Sequence, residues 1–286
     1  MTSLQARHRR DKTMIGLMIA ALVVAIVPLV FILADVIIKG IGDLNLSFLT
    51  QPEPFVQMAP GGGFGAGIRG TIKMVGLGTA IAVPIGVFAA VYLAEYSGRR
   101  NTLATAVRFF ADVMTGIPSI FVGIFVFTVV VLTTGSFSTY AGGIALGILM
   151  IPVIVRTSEE ALLLVPAILR ESAFALGIRK WRTIISVVLP AALPGITTGV
   201  LLAIARAAGE TAPLLLTAFG SQLLVGYGSW GGPETSLTLE IFNNSRAFLP
   251  VQVARAWTGA LVLIIGVLLL SLVARWAVAR RWKPDR

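Results

Sequence analysis

Separated apolar runs of roughly 20 to 25 residues, the length an α-helix needs to cross a hydrocarbon layer of ~30 Å, dominate this chain. They lie at 14–38, 71–94, 111–132, 140–155, 190–219 and 256–278, so the expected fold class is an all-α integral membrane protein with six transmembrane helices. Composition agrees: 56% of the 286 residues are hydrophobic and only 13% charged, with a mean hydropathy of +0.90, too apolar for a fold solvated by water. The first run follows Arg7, Arg9, Arg10 and Lys12, as a signal peptide would. Its apolar stretch far exceeds the ~7 to 15 residues of such a leader, which predicts an uncleaved helix.

Lysine and arginine fall in alternate segments between the runs. Seventeen of the 23 sit in the amino tail (Arg7, Arg9, Arg10, Lys12), the second connection (Arg99, Arg100, Arg108), the fourth (Arg156, Arg170, Arg179, Lys180, Arg182) and the carboxyl tail (Arg275, Arg280, Arg281, Lys283, Arg286). Four (Lys39, Arg69, Arg246, Arg255) occupy the other connections, and Lys73 and Arg206 lie within runs. Basic segments stay in the cytoplasm, so an even number of spans with both termini cytoplasmic is expected in a cytoplasmic (inner) membrane. The chain then divides into a basic tail (1–13), a first helix (14–38), an extracytoplasmic segment (39–70), a transmembrane core (71–278) with a cytoplasmic loop at about 156–189, and a second tail (279–286).

The formal charge of +10 does not mark a nucleic-acid binder, because the basic residues form no stripe or face. The partner implied by composition is the lipid bilayer. With no cysteine, and with His8 as the single histidine in a basic tail, the chain has no disulfide, no thiolate or histidine metal site and no cysteine nucleophile. No cofactor, metal ligand or catalytic residue is therefore expected.

Several motifs reduce to packing. Gly65-Ala66-Gly67-Ile68-Arg69-Gly70 spells a dinucleotide fingerprint, but no strand precedes it and no acid lies about 20 residues on. Thr71 stands where a Walker A loop needs lysine, so the chain should not bind ATP itself. The pairs Gly143/Gly147 and Gly195/Gly199 let helix backbones approach closely. Lys73, near the start of the second run, is expected to snorkel to the outer interface. The long connection 220–250 carries Leu223, Leu224, Tyr227, Trp230, Phe242 and Phe248; packing on the bundle is its simpler reading and a partner contact the other.

The fifth run differs. Arg206 and Glu210 fall near the middle of an apolar stretch, where an ionisable group costs about 2.5 to 3.5 kcal/mol. Their i, i+4 spacing puts them on one face, so they form either a self-satisfying pair or a charge lining a path, with Glu210 positioning Arg206. Pro213 would leave the carbonyl of Gly209 without its helical donor, and freed backbone at that depth belongs beside protein or a wet cavity. A guanidinium suits an oxyanion through its planar fork, and Thr197, Thr198, Thr211, Thr115 and Ser119 offer hydroxyls to helix contacts or to such a ligand. Arg156, ending the fourth run, is either an interfacial anchor or an inner exit charge.

The fourth connection reads ESAFALGIRKWRTIISVVLP. A short helix over 165–176 is expected, stopped at Gly177, lying along the membrane surface or docking in a groove of a soluble partner. With Glu171, Ser172, Ala173, Gly177 and Pro190 so placed, the segment resembles the EAA loop of ABC importer permeases, Ser172 replacing the first alanine. Gly116-Ile117-Pro118-Ser119 and the run from Ala205 to Pro213 are similar to segments of the permease family of phosphate ABC importers. The resemblance covers most of the chain. It implies a type I ABC importer permease (MetI-like) fold, a sister permease PstC, a PstB-type ATPase dimer and a PstS-type phosphate-binding protein as partners. It also implies ATPase coupling through Glu171, Ser172, Ala173 and Gly177, and a phosphate path along Arg156 and Arg206. The chain is then no enzyme itself. Charge and spacing alone leave open a sulfate- or molybdate-type permease, or an ion-coupled secondary carrier.

Overall fold

A computed structural model describes residues 3–56, 61–98, 101–220 and 230–281. Of the residues singled out above, Arg99, Arg100, Leu223, Leu224, Tyr227, Lys283 and Arg286 lie outside the described residues. In chain order the helices are α1 (Ser3–Gly40), α2 (Leu46–Thr50), α3 (Gly65–Val91), α4 (Thr102–Gly116), α5 (Ser119–Val126), α6 (Leu132–Thr134), α7 (Thr139–Leu163), α8 (Ala167–Ala175), α9 (Lys180–Thr183), α10 (Leu189–Ala208), α11 (Ala212–Thr217), α12 (Leu237–Ser245) and α13 (Pro250–Arg281). Single π-helical turns occupy Tyr92–Tyr96, Phe127–Val131 and Ile184–Val188. Among the described residues five helical stretches are long and apolar enough to cross a membrane, and α4 with the bent-off stretch Ser119–Thr134 makes a sixth when the two are counted as one span.

The centre of the bundle is α3 packed on α7, and glycine makes the approach possible. A Cβ on Gly78 would sit 3.0 Å from the carbonyl of Gly143 and from the amide of Gly147, so no larger residue fits without separating the helices. Met74, Leu146, Met150, Ile154, Ala203 and Leu214 form the core where α3, α7, α10 and α11 meet. By contrast α1 is exposed along its apolar length and rests on α13, where Gly40 admits the carbonyl of Trp257 and Lys39 lies 4.6 Å from the Trp257 ring.

Two expected spans are broken. The third is not one rod over 111–132: α4 and α5 meet at 105° around Ile117-Pro118. Proline disfavours the helical conformation in the residue before it, and Ile117 is extended (φ −73°, ψ 131°). The fifth does not run to Phe219. It begins at Lys180, ends with α10 at Ala208, breaks through Gly209–Thr211 and resumes as α11. Pro213 therefore stands in the first turn of α11, where its missing N–H is not needed, and the expected isolated gap at Gly209 becomes a complete break. One released carbonyl, that of Glu210, accepts the Thr238 hydroxyl at 3.0 Å.

The bundle has two chemically distinct ends. Where α3 and α7 begin, here the far end, α12 lies across the first turns of α3, and Gly70 lets the Thr235 carbonyl in against the helix. The described part of the 220–250 connection thus packs on the bundle, except that Phe248 is fully exposed. The opposite, basic end carries α8, within the 165–176 range expected from sequence. Its stop is a Schellman motif: Gly177 adopts φ +76°, its N–H reaches the Phe174 carbonyl at 2.9 Å, and Ile178 N–H reaches Ala173 at 3.1 Å.

Candidate functional site

Close approaches of Gly195 to Ala161 and Gly199 to Thr157 set an antiparallel register between α10 and α7. Two turns further along α10, that register brings Arg206 abreast of Met150, about halfway down α7. Arg206 is thus the last-turn residue of a helix that stops at the middle of the bundle. The C-terminal carbonyls of such a helix carry partial negative charge, which favours a cation there. Its Nε lies 3.5 Å from Glu210 Oε1, and the Arg206 side chain is 48% exposed against 16% for Glu210. The pair is loose and one-pronged, leaving the rest of the guanidinium fork turned away from this chain's own core.

Arg156, on the basic half of α7, is engaged more fully. Its Nε and Nη2 donate to Asp112 at 2.7 and 2.6 Å, and Nη1 reaches Glu159 at 3.3 Å. Glu159 is buried and also receives Arg108 Nε at 2.7 Å, while Arg108 Nη2 donates to the carbonyl of Leu93 at 3.1 Å. Two arginines and two carboxylates from α4 and α7 therefore form one network. Sequence reading missed Asp112, Arg108 and Glu159. The signal was present in the i, i+4 spacing of Arg108 and Asp112 on an amphipathic helix, and in Arg156 preceding Glu159 by three residues.

The remaining sequence candidates separate. Arg206 and Arg156 stand at different depths and share no partner. Thr197 and Thr198 donate to carbonyls of their own helix at 2.8 and 2.9 Å, as does Thr115 to Asp112 at 2.7 Å. Lys73 does not snorkel to a headgroup: it donates to both oxygens of Glu234 at 2.8 and 3.0 Å, and the Thr139 hydroxyl donates to the same carboxylate at 2.7 Å. That cluster fastens the loop before α12 to the starts of α3 and α7. In the fourth connection, Ala173 is buried while Glu171 and Ser172 are exposed on α8.

At the far end, outside the spans, a carboxyl pair combines a buried Glu240 with a half-buried Glu53. Burial pushes Glu240 well above the usual carboxylate range, and the charge of Glu53 pushes further, against a backbone hydrogen bond from Gly67. Glu53 is raised in turn by burial, against a hydrogen bond from Asn244 and the charge of Arg255. A cavity of about 480 Å³ between α3, α10, α12 and α13 is walled mostly by apolar residues such as Val75, Ile204 and Val267, with Thr71 and Thr79 its polar side chains and no charged one. Among the described residues no group of three or more acidic, histidine or cysteine side chains could hold a metal.

Comparison with known proteins places this architecture. The family described as "Binding-protein-dependent transport system inner membrane component" matches residues 82–283. A phosphate transport system permease protein PstA of Yersinia pestis is 40% identical over 279 residues, 96% of this chain and 92% of that protein. Its counterpart in Haemophilus influenzae is 41% identical over 273 residues, 94% of each chain. PstA 1 of Mycobacterium tuberculosis is 40% identical over 283 residues, 91% of this chain and 86% of that protein. Among solved structures, an inward-facing MetNI methionine ABC transporter aligns with a TM-score of 0.56 at 21% identity, over 77% of this chain and 94% of that one. A bacterial ABC transporter that imports the acidic polysaccharide alginate aligns with a TM-score of 0.57 at 17% identity, over 97% of this chain and all of that one. These last two share the fold, a MetI-like permease. On its sequence kinship over nearly its whole length, the chain belongs to the binding-protein-dependent transport system inner membrane component family, among the PstA permease proteins.

Proposed function

We propose that the chain is one transmembrane half of an ATP-driven importer for inorganic phosphate. The observation that carries the reading is Arg206: a permanently charged fork, half exposed, at a helix break halfway through the bundle. The similarity to phosphate permeases supplies the anion, which the fork alone does not choose over sulfate or molybdate. Hydrolysis of ATP is assigned to a separate ATPase, and this chain performs no chemistry on phosphate.

In this mechanism the basic end and both termini face the cytoplasm. A PstC-type sister permease completes the pathway, a PstS-type protein delivers phosphate from the other side, and a PstB-type ATPase dimer receives α8. ATP-driven closure of the ATPases moves α8, with Glu171, Ser172, Ala173 and Gly177 at the contact, and swings the spans between outward and inward access. Arg206 holds phosphate weakly enough to release it, with Glu210 competing for the same guanidinium. Arg156 receives the anion nearer the cytoplasm, in exchange for Asp112.

The test is Arg206→Ala in the assembled complex reconstituted in proteoliposomes. Phosphate uptake should collapse while the subunits still co-purify. Normal uptake by an assembled variant removes Arg206 from the path. Replacing phosphate by sulfate or molybdate in the same assay decides the anion.

A further inference from the structure

Most of α8 faces outward: Ile168, Leu169 and Phe174 are exposed, as is Leu176 just past its end, a surface suited to a soluble partner. Arg170 does the opposite. Its side chain is only 19% exposed and turns back into the bundle, where one guanidinium joins three elements. Nη1 donates to the Val165 carbonyl, just past the end of α7, at 2.7 Å, and Nη2 to the Leu162 carbonyl at 2.8 Å, which also accepts the Val165 N–H at 3.3 Å. Nε and Nη2 also donate to Glu95 Oε1 at 3.0 and 2.7 Å. Glu95, 8% exposed, belongs to the π-helical turn that ends α3.

The surroundings make this contact mechanical. The π-turn at Tyr92–Tyr96 closes α3, and a second at Ile184–Val188 lies between α8 and α10 and packs on α8. Isolated π-turns interrupt the regular helical ladder and recur where helices serve function. Thus α8 is bracketed by two irregular turns and pinned to the ends of α3 and α7 by the Arg170 side chain. Lysine cannot substitute, because one ammonium cannot span a carboxylate and two carbonyls held in a planar fan. Removing either charge leaves the other buried without its partner.

We propose that Arg170 and Glu95 are the positioning pair that transmits movement of α8 to α3 and α7, so that they couple ATP hydrolysis to transport. The proposal rests on the reading of α8 as the ATPase contact and assigns these two residues a role distinct from that contact: they face the spans, not the ATPase.

The experiment uses the complete complex of both permeases and the ATPase in proteoliposomes, with wild type, Arg170→Lys and Glu95→Gln compared. Three quantities are measured: co-purifying ATPase, ATP hydrolysis with and without phosphate-loaded binding protein, and phosphate uptake per ATP hydrolysed. The expected result is assembly within about twofold of wild type, retained basal hydrolysis, loss of stimulation by the loaded binding protein, and uptake per ATP reduced about tenfold or more. The double variant should be no worse than the worse single one, since the two side chains act as one unit. Wild-type stimulation and uptake per ATP in either assembled variant overturns the proposal. So does a variant whose assembly drops while the complexes that form remain fully coupled, because that marks a purely structural clamp. If the wild-type complex takes up no phosphate, the substrate reading fails instead, and the same comparison with the binding protein loaded with sulfate or molybdate, whichever stimulates wild-type ATP hydrolysis, tests the pair.

Discussion

Arg156 on α7 holds Asp112 on α4 through two hydrogen bonds of 2.7 and 2.6 Å, the same two-pronged geometry with which a guanidinium grips an oxyanion. The carboxylate thus occupies the fork that phosphate would take in the proposed mechanism. Because Asp112 is 56% exposed and Arg156 35%, water screens the pair, and exchanging one anion for another costs little.

Replacing Asp112 with Asn should therefore leave Arg156 free to retain phosphate. Uptake by the assembled complex is expected to slow by about tenfold, corresponding to roughly 1.4 kcal/mol of added retention. Asp112→Glu, which keeps the competing charge, should stay within about threefold of wild type, for roughly half that energy. Radiolabelled phosphate uptake checks both, and an unchanged rate in the Asn variant removes Asp112 from the release step.

Arg206 separates charge from shape. Arg206→Lys keeps the positive charge but loses the planar fork, so uptake should fall less than in Arg206→Ala, by about tenfold against about a hundredfold. Glu210→Gln, which removes the competing carboxylate 3.5 Å away, should leave a measurable transport rate. The ordering Ala below Lys below Gln in one uptake assay is the prediction, and equal rates for all three contradict it.

Gly177 tests the stop of α8. No atom lies within 4 Å of a Cβ built there, so space is not the obstacle; the left-handed φ of +76° is. Gly177→Val should cost about 1 to 2 kcal/mol locally and displace the end of α8, reducing the ATPase that co-purifies. Gly177→Asn, whose side chain tolerates this conformation, should behave nearly as wild type.

The carboxyl pair at the far end gives a pH signature. Glu240 is held well above its ordinary value near 4.5 by burial and by Glu53, so the folded state keeps a proton that the unfolded state releases. Stability from this group is complete at lower pH and is lost as pH rises from about 4.5 through the elevated value, at up to about 1.4 kcal/mol per pH unit. Glu240→Gln should flatten that decline. Thermal unfolding of the purified complex across the range from about pH 5 to about pH 8 measures it, and an identical slope in the variant argues against Glu240 as its source.

The spans, the stop at Gly177 and the small-residue contacts were legible because each is a local property: apolar length, a glycine at a helix end, a close approach set by Gly143 and Gly147. The ion pair of Arg206 with Glu210 was legible because charge in an apolar run stands out. Breaks were harder. Pro118 and Pro213 lie in apolar sequence, and hydropathy does not register that proline turns a continuous run into two helices. Hardest were pairings between distant segments. Lys73 with Glu234, Arg170 with Glu95 and Arg108 with Glu159 depend on which helices are neighbours, and each residue alone reads as an ordinary interfacial charge.

The contact between α1 and α13 joins the first helix of the chain to the last. During synthesis α1 emerges into the bilayer well over 200 residues before its seat at Trp257 exists, so it must wait in lipid as a lone rod, which its nearly unbroken apolar surface permits. Docking against α13 then gives α1 its seat, making assembly of the subunit a late event that ribosome-bound intermediates would lack.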